Sequence, residues 1–474
     1  MMGRQTGDQR QLFYLFNLED RIPSGHLLRK LNPMVSQVVA DLREKLVSFY
    51  SDIGRPSIDP ELMMRMLMVG YCYGIRSERR LCEEVKLHLA YRWFCKLDLD
   101  DKVPHHSTFS VNRLGRFRES DILRHIFEQV VAACMAAGLV KGEGFAVDAS
   151  VIEANASRYH GKAPDELDWT DEQRQKRAVS EYLAALDAEA RTQADVDDSS
   201  NTDGEPEVKS DRKPPKVISP SDPQSAWTAK ANKRVLFGYG LNYLIDLKHA
   251  VIVDVEATPA RTYDEVTATK TMIERTERCF NMKPKRLVAD TAYGTGRFLG
   301  WLVKKKRITP HIPVWDKSER TDGTFSRADF IFNKRRNIYT CPAGKRLTTT
   351  GHVSTDYGIR YEASVPDCRA CALKSRCCPN VTTRRIVRYV NEDARDVARR
   401  KMKTKAFFKS RNQRKRVEMR FAHLKTHHGF ERLRLRGLSG ARDEFHLAAI
   451  VQNLKTMALR LLGPPNERRC MAVA

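Results

Sequence analysis

The spacing of apolar residues changes near residue 138 of the 474-residue chain. Before that point apolar residues recur at helical intervals, and the start of one helix is marked by Asp59 as N-cap with Pro60 in the first turn. Gly74 interrupts the pattern, and a second helix is predicted from Ser77 in SERRLCEEVKLHLAYRWF. The pattern predicts an all-α N-terminal domain over residues 1–138.

After residue 138 short apolar runs with strand character alternate with helical segments. The predicted order is a strand at 144–152, a hairpin at 235–259, a helix at 263–279, a strand at 286–292, a helix at 295–305 and a strand at 308–314. This order favours a mixed sheet with helices on its faces, so the predicted fold class is mixed α+β and α/β.

Two segments interrupt the second domain, which is predicted over residues 139–462. Residues 158–226 are polar and acidic, with few apolar positions and many helix breakers at their centre, so we expect a flexible insertion. Residues 316–400 form a Cys-rich insertion that resembles a zinc ribbon. A last amphipathic helix is predicted at 444–462, and residues 463–474 are predicted to be a disordered tail.

The charge of the chain indicates a polyanionic partner. The formal net charge is +24, the chain is 41% hydrophobic, and cations are concentrated between residues 384 and 436. The sequence has no lipidation signal and no apolar run of about 18 residues that could span a bilayer. The first residues also lack the apolar core of a signal peptide, so a bacterial cytoplasmic location is expected.

Three arginines lie where the two predicted N-terminal helices meet, at positions 76, 79 and 80. Two helices joined by a short glycine-containing turn are typical of helix-turn-helix proteins, and Arg76, Arg79 and Arg80 would then contact DNA. An ordinary helical bundle with a basic surface explains the same pattern.

The stretch RNQRKRVEMRFAHLK, residues 411–425, has the spacing of a basic helix with a single acid. At about 100° per residue, Arg414, Glu418 and Lys425 fall on one arc. An apolar stripe adjoins them, formed by Val417, Phe421 and Leu424. One interpretation is a solvated helix in which Glu418 is an ion-pair partner. The other is that Glu418 is a functional carboxylate among cations that contact DNA.

Three acids are candidates for a metal site: Asp148 and Asp290, each within a predicted strand, and Glu418. Aspartate is a poor strand former and is costly to bury without compensation. Carboxylates are the ligands that hard ions such as Mg²⁺ prefer. Alternatively, Asp148 and Asp290 cap the turns that follow them.

These residues carry a resemblance to bacterial insertion-sequence transposases of the DDE class, over nearly the whole chain. The strand FAVDASVIEANAS is similar to the family's first motif, and LVADTAYGTGRFL is similar to its second. The third motif is Tyr, two residues, Arg, three residues, Glu, six residues, Lys. Arg414, Glu418 and Lys425 keep its spacing, although Arg411 occupies the Tyr position. GRPSIDPELMMRMLMVGYCYGIRSERRLCEEV resembles the family's N-terminal helical domain.

The resemblance implies a ribonuclease H-like catalytic domain in which Asp148, Asp290 and Glu418 bind two Mg²⁺ ions, for which Mn²⁺ can substitute. Arg414 and Lys425 would contact DNA phosphates, unless they are nonspecific surface charge. The implied function is a DNA transposase that binds element ends and catalyses strand cleavage and strand transfer.

Double-stranded DNA, as terminal inverted repeats and as target, is the implied partner. A homodimer or larger assembly on DNA and association with the nucleoid are also implied. The alternatives are a catalytically silent, transposase-derived DNA-binding regulator and a nuclease of the same fold without site specificity.

Five cysteines cluster between residues 341 and 378. Cys368 and Cys371 have the two-residue gap that lets both thiolates reach one metal, and Cys341 and Cys377 would complete a tetrahedral zinc site. Free buried thiols in a reducing compartment are the alternative.

Overall fold

The computed structural model describes residues 15–50, 53, 57–169, 176–198, 215–229, 234–314, 322–354 and 358–462. The predicted tail at 463–474 and the centre of the acidic insertion at 199–214 lie outside these residues. Within the described ranges, no helix is both long enough and apolar enough to cross a membrane.

The described part of the N-terminal region is helical, as the apolar spacing predicts. Its helices are α1 (Leu18–Arg21), α2 (Leu27–Val38), α3 (Leu42–Leu46), α4 (Pro60–Tyr73), α5 (Glu78–Leu87), α6 (Leu89–Phe94), α7 (His106–Asn112) and α8 (Ile122–Ala136). Asp59 caps α4 as predicted, accepting hydrogen bonds from two backbone amides at 2.8 and 3.2 Å. The helix predicted from Ser77 is divided, because His88 has an extended backbone and its imidazole caps α6.

The main sheet has six strands. They are β1 (Phe145–Glu153), β2 (Ala226–Thr228), β3 (Leu236–Asp246), β4 (Ile252–Pro259), β5 (Arg286–Val288) and β6 (Thr309–His311). β3 is antiparallel to β1, β2 and β4, and β5 and β6 lie parallel to β1 on its other side. The spatial order β4-β3-β1-β5-β6 confirms the expected ribonuclease H-like mixed sheet.

Three helices lie between these strands in the chain: α9 (Arg177–Asp198) between β1 and β2, α10 (Thr262–Phe280) between β4 and β5, and α11 (Gly296–Gly300) between β5 and β6. The prediction of a flexible insertion is wrong for α9. The sequence RAVSEYLAALDAEA carries apolar residues at helical spacing, and Ala178 and Val179 at its start are buried. The prediction of a flexible insertion relied on the overall polarity of the segment and did not consider this helical spacing.

The Cys-rich segment forms a second, five-stranded antiparallel sheet in the order β11-β10-β9-β8-β7. Its elements are β7 (Ile331–Asn333), β8 (Ile338–Thr340), β9 (Arg346–Thr348), β10 (Gly358–Ala363), α12 (Val365–Arg369), α13 (Lys374–Cys377) and β11 (Arg385–Tyr389). A small hydrophobic core of its own contains Tyr339, Leu347 and Tyr361.

The last three helices are α14 (Glu392–Met402), α15 (Lys405–His428) and α16 (Gly437–Leu462). α16 packs against β4 and against α2, α4 and α8 of the N-terminal region. One hydrophobic core therefore runs from Leu28 in α2 through the main sheet to Ala458 in α16. The predicted boundary near residue 138 is a change of secondary structure within this shared core.

Candidate active site

The register of the main sheet places two of the predicted acids side by side. Phe145 pairs with Leu287 and Ala146 with Val288 in the parallel β1–β5 ladder. Asp148 and Asp290 each lie two residues further on, and Asp290 is still extended, with φ −81° and ψ −175°. Adjacent strands are about 4.8 Å apart, and positions two residues apart face the same side of a sheet. The two carboxylates therefore share one face at one edge.

Helix α15 brings the third acid to this face. Phe421 stacks on Tyr243 with ring centroids 5.0 Å apart, and Tyr243 is the β3 residue opposite Asp148. Glu418 lies three residues before Phe421 in the same helix, so it is held above Asp148. The apolar stripe of α15 is buried as predicted, whereas the Glu418 side chain is 55% exposed.

Arg414 lies between two of the acids. Its guanidinium is 3.6 Å from an Asp148 oxygen and donates a hydrogen bond to Glu418 Oε1 at 3.2 Å. Its Nη1 atom is buried and makes no hydrogen bond to any described residue. Glu418 is therefore an ion-pair partner of Arg414, as one interpretation of the sequence expects. Arg414 also pairs with Asp148, a half-buried residue of the sheet.

The carboxylates influence one another electrostatically. Burial raises the pKa of Asp148, and the negative charges of Asp290 and Glu418 raise it further, while Arg414 and the Ala149 amide act in the opposite direction. Burial, followed by nearby carboxylates that include Asp148, also raises the pKa of Tyr293 well above its ordinary value. We did not single out Tyr293 from sequence, although it lies in the second motif.

Both aspartates also accept a local backbone hydrogen bond, but only Asp290 does so as the cap of the turn that follows it. Asp290 Oδ1 accepts from the Ala292 amide at 2.9 Å, and Asp148 Oδ1 accepts from the Ala149 amide at 2.9 Å. Each of these bonds uses one carboxylate oxygen. Asp148 Oδ2 instead faces Arg414, so capping does not account for its position.

The donor chemistry of this site fits a hard divalent cation, because two carboxylates of the sheet edge and one of α15 lie on the same side of the sheet. As the side chains stand, no group of three or more His, Cys, Asp or Glu residues in the described ranges has the spacing of a metal site. The guanidinium of Arg414 instead occupies the space between Asp148 and Glu418. A cation would replace that positive charge.

The second predicted cation of the third motif, Lys425, lies beside the same strand. Its Nζ donates a hydrogen bond to the Val151 carbonyl of β1 at 3.0 Å. Arg411, at the Tyr position of that motif, is exposed. The three residues of the motif that match the resemblance are therefore close to β1.

The three N-terminal arginines differ in their exposure to solvent. Arg79 is exposed, and Arg80 is 69% exposed and pairs with Glu84 at 3.2 Å. The Arg76 side chain is only 8% exposed, forms an ion pair with the fully buried Glu444 and lies over the Phe430 ring. The expectation that Arg76 reads a DNA groove is wrong, because most of its side chain is enclosed between α5 and α16.

Several cysteines of the second sheet influence one another electrostatically. Burial and the neighbouring Cys378 and Cys341 raise the pKa of the Cys377 thiol to about 11. Cys378 interacts with both Cys377 and Cys368, and the Lys345 amide donates a hydrogen bond to Cys341 Sγ at 3.3 Å. Cys371 is not among the groups that shift the pKa of Cys377 or Cys378. In the sequence, the position of Cys378 directly after Cys377 could have identified it as a further candidate zinc ligand.

Two family models match the chain. Residues 16–114 match the family described as Transposase domain (DUF772), and residues 340–458 match the family described as Transposase DDE domain. The first covers most of the N-terminal helices, and the second covers β9 to β11 of the Cys-rich sheet, α12 to α15 and most of α16. No curated protein matches the sequence.

Proposed function

Because the chain is an insertion-sequence DDE transposase with an N-terminal transposase domain, we propose that it binds the ends of a DNA element and catalyses metal-dependent strand cleavage and strand transfer. The observation that carries the proposal is the shared edge of Asp148 and Asp290, with Glu418 held above them by α15. An aspartate whose pKa is raised by burial and by two nearby carboxylates, within a basic surface, is typical of a site that takes up a cation.

Asp148, Asp290 and Glu418 would hold the metal, with Mg²⁺ as the expected ion and Mn²⁺ as a substitute. Bound Mg²⁺ supplies activation of the attacking hydroxyl and stabilisation of the leaving oxygen in a displacement at phosphorus. Arg414 and Lys425 supply positive charge beside β1, where they would bind phosphates flanking the scissile bond. Arg414 would exchange its carboxylate contacts for a phosphate when a cation enters.

The test is an assay of purified protein with Mg²⁺ and a labelled duplex that carries the element's own ends. The proposal expects cleavage at the ends and joining of the 3′-hydroxyl to a target duplex. Binding of the ends without cleavage would support a DNA-binding regulator, and cutting of any duplex would support a nuclease without site specificity. A protein–DNA complex that contains two protein copies is expected, because two ends must be joined.

We also propose that the second sheet is stabilised by a structural zinc ion held by Cys341, Cys368, Cys377 and Cys378, with Cys378 in place of Cys371. Burial, followed by neighbouring thiols, raises the pKa values of Cys377 and Cys378, and cysteine thiols ionise when zinc binds. Metal analysis of the purified chain should give about one zinc per protein. Cys378→Ser should lower the zinc content and Cys371→Ser should not, whereas folded protein without zinc would contradict the site.

A further inference from the structure

A basic cavity of about 500 Å³ lies between the N-terminal helices, the start of α9 and the segment that connects α15 to α16. Seven of its lining residues are cationic, and Glu78 is the one acid that lines it among the described residues. The volume is sufficient for a phosphate with its attached sugar.

Two cations in this cavity are more than nine-tenths buried and keep unused donors. Arg76 is 8% exposed and Arg113 is 6% exposed. Arg76 Nη1 and Arg113 Nε are buried atoms with no hydrogen-bond partner in the described part of the chain. Buried donors without a partner are costly, so a ligand that accepts hydrogen bonds would be stabilising here.

The buried arginines are fixed in place by their neighbours. Glu444 accepts hydrogen bonds from Arg76 and from the Tyr71 hydroxyl, and its other oxygen accepts from the backbone amides of Arg434 and Leu435 at 2.6 Å each. Glu78 pairs with Arg113 at 3.0 Å. These contacts hold the floor of the cavity rigid before any ligand arrives.

The rim of the cavity carries exposed positive charge. Lys176, Arg434 and Arg436 are all exposed, and no carboxylate oxygen lies within ion-pair distance of their side chains in the described ranges. Burial raises the pKa of Asp222, and Arg436 is close enough to this carboxyl to act on its pKa in the opposite direction. The Arg436 Nε donates to the Asn155 carbonyl at 3.0 Å, and the Asn155 amide donates to the Arg434 carbonyl at 2.8 Å. The rim is thus joined to the chain just after β1.

The position of the cavity relative to Asp148 suggests how DNA reaches it. Asn155 lies seven residues after Asp148, which is about 23 Å if the chain is extended. Along duplex DNA one base pair advances about 3.4 Å, so this distance corresponds to about seven base pairs. A duplex whose scissile bond is at the acids would therefore place a more distant backbone phosphate near the rim.

We propose that this cavity binds a DNA backbone phosphate about five to seven base pairs from the scissile bond, and so links the N-terminal helices to the catalytic helix α15. The proposal rests on the proposed function, because it takes the same DNA as ligand. Arg76 then contacts DNA from inside a pocket and does not read a groove.

The test measures binding of the full chain to the element-end duplex as a function of salt concentration. Arg434 and Lys176 are both exposed. Arg434→Ala and Lys176→Ala should each make the negative slope of log K against log salt less steep by about 0.9, the value for one lost phosphate contact. The matched control is Arg278→Ala, an exposed cation near the end of α10, which should leave the slope unchanged. Equal slopes for all three variants would overturn the proposal.

A second arm locates the phosphate and separates the ligand sources. Single neutral methylphosphonate linkages are placed along the duplex, and one of them, about five to seven base pairs from the cleavage point, should weaken binding by the wild type but not by Arg434→Ala. Inorganic phosphate competes at constant ionic strength. If Arg434→Ala alters only this competition and leaves DNA binding unchanged, the cavity takes a free anion and the DNA assignment is overturned.

The two claims fail in different ways. If the wild type binds the end duplex and cleaves it while the cavity variants match Arg278→Ala, the proposed function stands and the cavity assignment falls. If the wild type does not bind the end duplex more tightly than unrelated DNA of equal length, the proposed function fails and the cavity assignment fails with it.

Discussion

Two strands of the main sheet carry an aspartate in similar sequence, FAVDAS in β1 and VIVDVE in β4. Asp254 of β4 is fully buried, and the Arg275 guanidinium donates to its two oxygens at 2.9 and 3.1 Å. Arg124 also donates to Asp254, and Arg275 donates to Glu256 at 2.8 Å. Asp148 of β1 faces one guanidinium at 3.6 Å and is close to two further acids.

The difference shows that an acid in a strand can have opposite roles. Around Asp254 the protein provides the cations, so the cluster is complete and its contribution is to stability. Burial and the nearby carboxylates of Asp290 and Glu418 raise the pKa of Asp148, and a cation from outside the chain would complete this cluster. We therefore assign structure to the β4 acids and metal binding to the β1 edge, and the predictions below test this assignment.

The largest expected effect is on strand cleavage. Asp148→Asn, Asp290→Asn and Glu418→Gln should each lower the rate of cleavage of the end duplex by on the order of 10³-fold, because an amide is a much weaker metal ligand than a carboxylate. Binding of the same duplex without metal should stay within a few-fold of wild type. Single-turnover cleavage and gel-shift assays measure the two quantities, and full cleavage by any one variant would remove that residue from the site.

The second expected effect is on stability. Asp254→Asn should lower the free energy of unfolding by about 3 kcal/mol, because it leaves buried arginine donors without their carboxylate. Urea unfolding followed by circular dichroism gives the value. Glu44→Gln, at an exposed site in α3, is the control and should change it by less than about 0.5 kcal/mol. A wild-type unfolding curve for Asp254→Asn would show that the β4 cluster does not stabilise the fold.

The dependence of stability on pH tests the electrostatic environment of Asp148. Because the pKa of folded Asp148 is raised, the folded chain binds more protons than the unfolded chain between the ordinary and the raised pKa. Stability from this group therefore falls as pH rises through that interval. Asp148→Asn should be more stable than wild type at pH 8 without metal, and the gain should shrink towards pH 4, near the ordinary aspartate pKa of about 3.9. A gain independent of pH would contradict the electrostatic explanation.

The smallest expected effect is on DNA affinity. Lys425→Ala should make the negative slope of log K against log salt less steep by about 0.9, since one phosphate contact is lost. Its side chain also donates to the Val151 carbonyl, so thermal unfolding is measured in parallel to detect a structural change. An unchanged slope together with reduced stability would show that Lys425 supports β1 and does not bind DNA.

Particular residues show how far the sequence could predict this structure. The strands near Asp148 and Asp290 and the helix carrying Glu418 follow from periodicity and are confirmed as elements. Periodicity alone does not distinguish Asp148 from Asp254, because their difference lies in Arg124 and Arg275, which are distant in the chain. Only the motif resemblance selects Asp148. The enclosed position of Arg76 depends in the same way on Glu444.

Other differences have local causes. The polar composition around α9 predicts a flexible segment, although the first residues of this helix are buried. The two-residue gap between Cys368 and Cys371 favours Cys371 as a zinc ligand, and Cys378 has no such spacing. The sharing of one core by the N-terminal helices and the sheet depends on α16, whose contacts with α4 and α8 span most of the chain. Such long-range packing has no local signature in the sequence.

The most direct test of the central claim is the stoichiometry of Mn²⁺ bound in the presence of the end duplex, measured by electron paramagnetic resonance for wild type, Asp148→Asn and Asp254→Asn. The account predicts up to two ions on the wild type and on folded Asp254→Asn, and loss of bound Mn²⁺ in Asp148→Asn. Equal Mn²⁺ binding by wild type and Asp148→Asn would contradict it.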